Sequence, residues 1–196
     1  IGTNAIQVAA SAFGFGEKTG IDFGIDMSGT VPDADWKMRM YGEKWFLGDV
    51  AQMSIGQGML LVSPLQMALA AGAIGTGFRV TPRLKADLAV TRTPLPFKAE
   101  HLAVVREGMR LVVAGDGESR GTGWRGGVGV PVSVSGKTGT AEIGRGATRR
   151  KNTWFIAYAP SEAPTVALAL IVENGESGGV TAAPKAAEIL REAFRK

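Results

Sequence analysis

The stretch 131–142, PVSVSGKTGTAE, holds the densest chemistry in the chain, and two unrelated chemistries share its letters. Read as G-K-T, it would end a phosphate-cradling loop. Such a loop needs G-x-x-x-x-G-K-[ST] between a strand and a helix N-terminus, with backbone N–H groups turned to the phosphates. Counting back five positions from Gly136 reaches Pro131, which has no N–H to offer. Val130, Val132 and Val134 alternate with Pro131, Ser133 and Ser135, a period of two that reads as a strand over 132–142. Nothing after Thr138 opens a helix, so the phosphate reading fails on context. Read as K-T-G, the same letters form one wall of an acyl-transfer site. An edge strand lets an extended peptide pair beside it through main-chain hydrogen bonds. Gly139 presents no Cβ against that approach. Lys137 supplies a cation, and the hydroxyls of Thr138 and Thr140 can donate to a carboxylate, each charge-assisted bond contributing about 1.5–3 kcal/mol.

Other chemistries have few residues to draw on. The chain has no cysteine, which removes thiol catalysis, disulfides and thiolate metal sites. His101 is the only histidine and sits in an apolar helical pattern, where a structural role outweighs a catalytic one. Gly121, Gly123 and Gly126 in GTGWRG satisfy G-x-G-x-x-G, yet no strand precedes them and no helix follows, so the segment reads as a flexible loop. No serine lies in a G-x-S-x-G elbow. A net charge of +4 with scattered basic residues gives no reason to invoke nucleic acid. The one basic cluster, Arg145, Arg149, Arg150 and Lys151 in GRGATRRK, reads as a solvated hairpin tip. No run approaches the roughly 20 apolar residues of a membrane span, and no cofactor or metal is implied.

The elements that must position K-T-G follow from periodicity. A short helix over 4–13 stops at the glycines of GFGEKTG, and the Gly-, Asp- and Pro-rich stretch 19–36 reads as loop. A helical turn at GDVAQMS leads into SIGQG. Ser63 caps a helix with Pro64 at its first position, continuing through Ile74 with small, apolar residues on most sides. A second long helix runs over 99–114, with Leu102, Val105, Met109 and Val112 spaced by three and four. NTWFIAYAP and TVALALIVE are the next strands, the second apolar throughout as a strand covered on both faces should be. TAAPKAAEILREAF closes the chain as a helix with Ile189, Leu190 and Phe194 on one face. Three sequential strands with short connections should pair antiparallel, with helices covering the sheet. The fold class is α+β, an antiparallel sheet with flanking helices.

KTGTAE followed by WFIAYAP, with SIGQG and SPLQMA upstream, resembles the transpeptidase domain of penicillin-binding proteins. FGFGEKTGID near the beginning and IVENGESGG with AAPKAAEIL near the end extend the likeness over nearly the whole chain, in order. KTGTAE looks like the class B enzymes, and IAYAP with VENG like the elongation-type penicillin-binding protein 2. The resemblance implies a fold shared with the serine β-lactamases and a peptidoglycan D,D-transpeptidase acting on stem peptides through a serine acyl-enzyme, hence a target of β-lactams. It also implies a cell-envelope location on the outer side of the cytoplasmic membrane, a membrane-anchored parent and cell-wall elongation proteins as partners. Such enzymes carry S-x-x-K, S-x-N or S-x-D, and K-T-G. Carried over by position, Lys137, Thr138 and Gly139 are the third motif. Lys137 polarises the site, Thr138 and Thr140 hold the substrate carboxylate, and the Thr140 N–H is one oxyanion donor.

The other two motifs are absent: no serine is followed by lysine at the third position, and none begins S-x-N or S-x-D. In the family both precede the FGFG segment. The expectation is therefore that residues 1–196 are the C-terminal portion of a transpeptidase domain, inactive alone. Aggregation, a partner chain, or an exposed apolar patch lined by the helix over 64–74 and the sheet is then expected. A non-catalytic scaffold of the cell-wall machinery and a serine β-lactamase relative are the alternatives.

Overall fold

Tyr158, Phe155 and Leu190 are the largest fully buried side chains, and they mark the level at which a sheet is covered by helices on both faces. The structure, a computed structural model, describes residues 3–144 and 146–195. In chain order it runs α1 (Thr3–Ala12), α2 (Ala34–Tyr41), α3 (Leu47–Ser54), α4 (Pro64–Thr76), β1 (Phe78–Val80), β2 (Arg92–Pro94), α5 (Ala99–Ala114), β3 (Ser135–Ile143), β4 (Arg150–Ala159), β5 (Val166–Glu173) and α6 (Ala183–Ala193). A 3₁₀ turn (Trp124–Gly127) precedes β3, and a π-helical turn (Gly178–Ala182) leads into α6.

The main sheet has the order β3-β4-β5, antiparallel throughout, as the short connections required. Directly paired residues share a face. Phe155, Ala157 and Ala159 of β4, with Val166, Leu168, Leu170 and Val172 of β5, pack on Ala183, Ala186 and Leu190 of α6. The opposite face packs on α4, where Gly72 comes close to Ala167 and Gly75 close to Tyr158. β5 is thus covered on both sides, which explains its unbroken apolar run.

α4 begins as its sequence suggested. The Ser63 hydroxyl accepts from the Gln66 N–H and the Gln66 side chain accepts from the Ser63 N–H, with Pro64 following the cap. Gln66 is buried, and its Nε2 also donates to the carbonyls of Gly14, Glu17 and Ser28. One amide therefore ties α4 to the turn after α1 and to Ser28 ahead of α2.

Several expectations need correction. The strand carrying K-T-G begins at Ser135 rather than at 132. β4 ends at Ala159 before Pro160, whose ring nitrogen has no N–H for a further rung. The Ser161 N–H bonds the Ser133 carbonyl instead, and Val134 is buried without belonging to a strand. α2 lies partly inside the stretch read as loop, capped by Asp33 and ended by Gly42 at φ 69°. The sequence pattern of 76–83 turns and extends, and β1 lies within it; its pairing with β2 as a hairpin carries no signal in that pattern. Val105 is 45% exposed, and α5 buries Leu102, Met109 and Val113. On α6 the inward face is Ala183, Ala186, Ala187 and Leu190, while Ile189 points out. The GTGWRG segment, read as a flexible loop, is closely packed: a Cβ on Gly126 would run into the Phe155 ring, and one on Gly123 into Phe155 and Val112. His101 lies exposed on α5 beside Glu100. Arg150 and Lys151 open β4, Arg149 pairs with Glu142, and Arg145 lies outside the described residues.

Candidate active site

The register sets Lys137 opposite Ile156, Thr138 opposite Phe155, Gly139 opposite Trp154 and Thr140 opposite Thr153. Lys137 and Gly139 therefore share the α4 face with Trp154 and Ile156, and Thr138 and Thr140 share the α6 face with Phe155. No strand pairs with the outer edge of β3 among the described residues. Two contacts show which main-chain groups that edge presents. The Gln57 amide donates to the Thr140 carbonyl at 3.4 Å, and the Lys137 ammonium donates to the Thr138 carbonyl at 2.7 Å. Residues of an antiparallel strand turn their N–H and C=O alternately to one neighbour and the other. Thr138 and Thr140 thus face outward with both groups, and Gly139 faces β4.

Below this edge on the α4 side lies a hollow of about 280 Å³. Phe15, Ile55, Leu60, Val62, Met67, Trp154 and Ile156 make its apolar wall, and Lys137 is the only charged residue of its lining. Three upstream segments thus meet K-T-G here: FGFG through Phe15, SIGQG through Ile55 and Gln57, and SPLQMA through Met67. Above the edge, the Thr140 hydroxyl accepts from the Gly178 N–H at 3.3 Å, and the Thr138 and Thr122 hydroxyls lie 3.3 Å apart. Gly178 is required at that point. A Cβ there would stand 2.5 Å from the Trp154 carbonyl and 2.6 Å from that of Gly139. The π-helical turn that begins at Gly178 therefore lies directly on the K-T-G hairpin.

The SIGQG wall hangs from α3, and α3 is held by an ion pair. Lys37, only 5% exposed, donates to Asp49 at 2.7 Å and lies 3.5 Å from Glu43. Asp49 also accepts from the Phe46 N–H at the start of α3. The hydrogen bond from Lys37, then that from Phe46, holds the Asp49 carboxyl below its ordinary range, and the Asp49 partner raises the Lys37 ammonium.

The arrangement combines a strand edge on which no strand pairs among the described residues, a cation on one side and hydroxyls on the other. It can pair with an extended peptide, hold a carboxylate and direct an N–H at a developing oxyanion. The site residues named from sequence, Lys137, Thr138, Gly139 and Thr140, come together on this one edge. Gln57, Gly178 and Thr122 were not picked out individually, because only the folded chain brings them to β3. No group of three or more His, Asp or Glu among the described residues is placed to hold a metal.

The family model for the penicillin binding protein transpeptidase domain matches residues 1–191. Peptidoglycan D,D-transpeptidase MrdA of Salmonella typhimurium is 30% identical over 219 residues, covering 99% of this chain and 35% of the relative. Penicillin-binding protein PBP2 of Helicobacter pylori, solved in complex with MreC, superposes with a TM-score of 0.81 at 30% identity, over 100% of this chain and 37% of that one. PBP2 of Pseudomonas aeruginosa, solved in complex with WCK 5153, gives 0.85 at 28% identity, over 100% and 43%. The chain belongs to the penicillin-binding protein transpeptidase domain family. It spans about a third of the length of the curated relative MrdA.

Proposed function

We propose that residues 1–196 are the K-T-G-bearing portion of an elongation-type peptidoglycan D,D-transpeptidase. The observation that carries this reading is the outer edge of β3, on which no strand pairs among the described residues, with the outward-facing Thr138 and Thr140 set between the Lys137 ammonium and the Thr122–Thr138 pair of hydroxyls. A stem peptide lies extended along the edge and pairs with the main chain of Thr138 and Thr140, the absence of a side chain on Gly139 easing its approach. Thr138 and Thr140 donate to the terminal carboxylate, and the Thr140 N–H donates to the oxygen of the carbonyl under attack as negative charge develops on it. One such donor is worth about 100- to 1,000-fold in rate. Lys137 polarises the site from the side of the hollow. The serine nucleophile and its base come from sequence outside these residues, since no S-x-x-K occurs within them. β-Lactams acylate the same serine because they present a carboxylate and a strained carbonyl to the same groups.

The names of the relatives support this reading, and the MreC bound to one of them supports an elongation protein of the cell wall as partner. Such work belongs in the cell envelope, on the outer side of the cytoplasmic membrane. No helix of the described residues is long and apolar enough to cross a membrane.

The test is acylation of the full-length protein by benzylpenicillin, followed by intact mass. The unaltered protein should take up one equivalent, and Lys137→Ala should slow the reaction by about 100-fold or more, in the range of lost active-site charges. Absence of any adduct on the unaltered protein would favour a scaffold. Rapid loss of the adduct with release of penicilloate would favour a β-lactamase.

A further inference from the structure

We propose that Thr122 is a positioning residue of the carboxylate clamp, donating its hydroxyl proton to Thr138 so that Thr138 gives its own proton to the bound carboxylate. This rests on the assignment of Thr138 and Thr140 to carboxylate binding. The Thr122 and Thr138 hydroxyl oxygens lie 3.3 Å apart, and either can be the donor. Each hydroxyl has one proton and two lone pairs. A bond to a carboxylate is about twice as strong as a neutral one, so an anion in front of Thr138 draws the Thr138 proton to itself. The lone pair of Thr138 then takes the proton of Thr122, and the two bonds polarise one another. Thr140 has the same arrangement with a different donor. Its oxygen accepts from the Gly178 N–H at 3.3 Å, which leaves its proton for the anion. The clamp is thus two parallel relays, Thr122 to Thr138 and Gly178 to Thr140, converging on one carboxylate.

The position of Thr122 is held from both sides, as a relay requires. The next residue, Gly123, donates its N–H to the Val112 carbonyl of α5 at 2.8 Å, and the Trp124 N–H bonds the Gly121 carbonyl at 3.2 Å. Gly121 fits against the carbonyls of Leu111 and Val112, where a Cβ has no room, and Gly179 fits against the carbonyl of Thr122 in the same way. A Cβ on Gly123 would stand 3.3 Å from the Thr138 methyl, so the loop and β3 are in close contact. The Thr122 side chain itself is exposed, and valine can replace it without a change of shape.

The test compares acylation of the full-length protein by benzylpenicillin and by its methyl ester, which lacks the carboxylate. Thr122→Val should slow benzylpenicillin by about threefold to tenfold, as the loss of one neutral hydrogen bond does. It should leave the ester within about twofold, and Thr122→Ser should restore the rate with benzylpenicillin. Equal slowing with both ligands, or no slowing with benzylpenicillin, would overturn the proposal. Thr138→Val in the same assay separates the two claims. If it slows benzylpenicillin and Thr122→Val does not, the relay fails and the clamp stands; if it has no effect, the clamp assignment itself fails.

Discussion

A single methyl group at Gly178 would reach the site without touching any residue of K-T-G by its side chain. Its three nearest neighbours are main-chain atoms of Trp154 and Gly139, which cannot turn away as a side chain can. Gly178→Ala should therefore destabilise the fold by about 1–3 kcal/mol, through overpacking of backbone against backbone. That corresponds to a fall in melting temperature of about 2–10 °C for a chain of this size, read by circular dichroism. Lys137→Ala is the contrast. The side chain is exposed and leaves no cavity, so the melting temperature should stay within about 2 °C while acylation collapses. A loss of stability comparable to that of Gly178→Ala would make Lys137 a structural residue. At this scale the sequence disclosed the groups that carry charge and hydroxyls, because their types and spacing are themselves the signal. It did not disclose the groups that hold them. Gly178 and Thr122 are common residues in glycine-rich loops, and only the packing on Gly139 and Thr138 distinguishes them.

At the scale of elements, the walls of the hollow depend on two buried polar groups. Gln66 serves three carbonyls and one N–H. Gln66→Leu should cost about 2–4 kcal/mol, since it leaves several of these groups unpaired, against about 1 kcal/mol for Ser63→Ala at the cap. Urea unfolding of both variants checks the order. The second group is the Lys37–Asp49 pair that holds α3 and, through it, SIGQG. The Asp49 carboxyl is depressed below its ordinary 3.8, so its contribution is present above that value and is lost as pH falls through the lowered one. The Lys37 ammonium is raised above 10.5, so its contribution is present below that value and is lost as pH rises beyond it. The melting-temperature gap between the protein and Asp49→Asn should thus be flat from about pH 5 to 9 and shrink below about pH 4. A gap that does not change with acid would contradict the tether.

Helices with an apolar period or a clear cap were legible in the sequence, α4 and α5 above all, and so was the antiparallel order of three strands. α2 carried its signals too, Asp33 before it and Gly42 after it, but the glycines and aspartates around it masked them. The start of β3 was hidden because the valine alternation continues past the last rung that Pro160 allows. On the inner face of α6 Leu190 and Phe194 were legible, while Ala183, Ala186 and Ala187 were hidden because close packing on Phe155 and Leu170 selects alanines, which a search for large apolar residues passes over.

At the scale of the whole molecule, the hollow does meet both α4 and the sheet, at Met67, Trp154 and Ile156. Most of the exposed apolar surface lies elsewhere. Phe23, Ile25, Met27, Phe46, Leu47 and Ile55 are each more than half exposed, and of these only Ile55 lines the hollow. The central claim, that these residues bind and polarise while another segment attacks, has one direct measurement: the full-length protein is acylated with benzylpenicillin, digested, and the modified peptide identified by mass. The predicted result is a single adduct on a serine outside residues 1–196. An adduct on any of the nine serines within them would contradict the account.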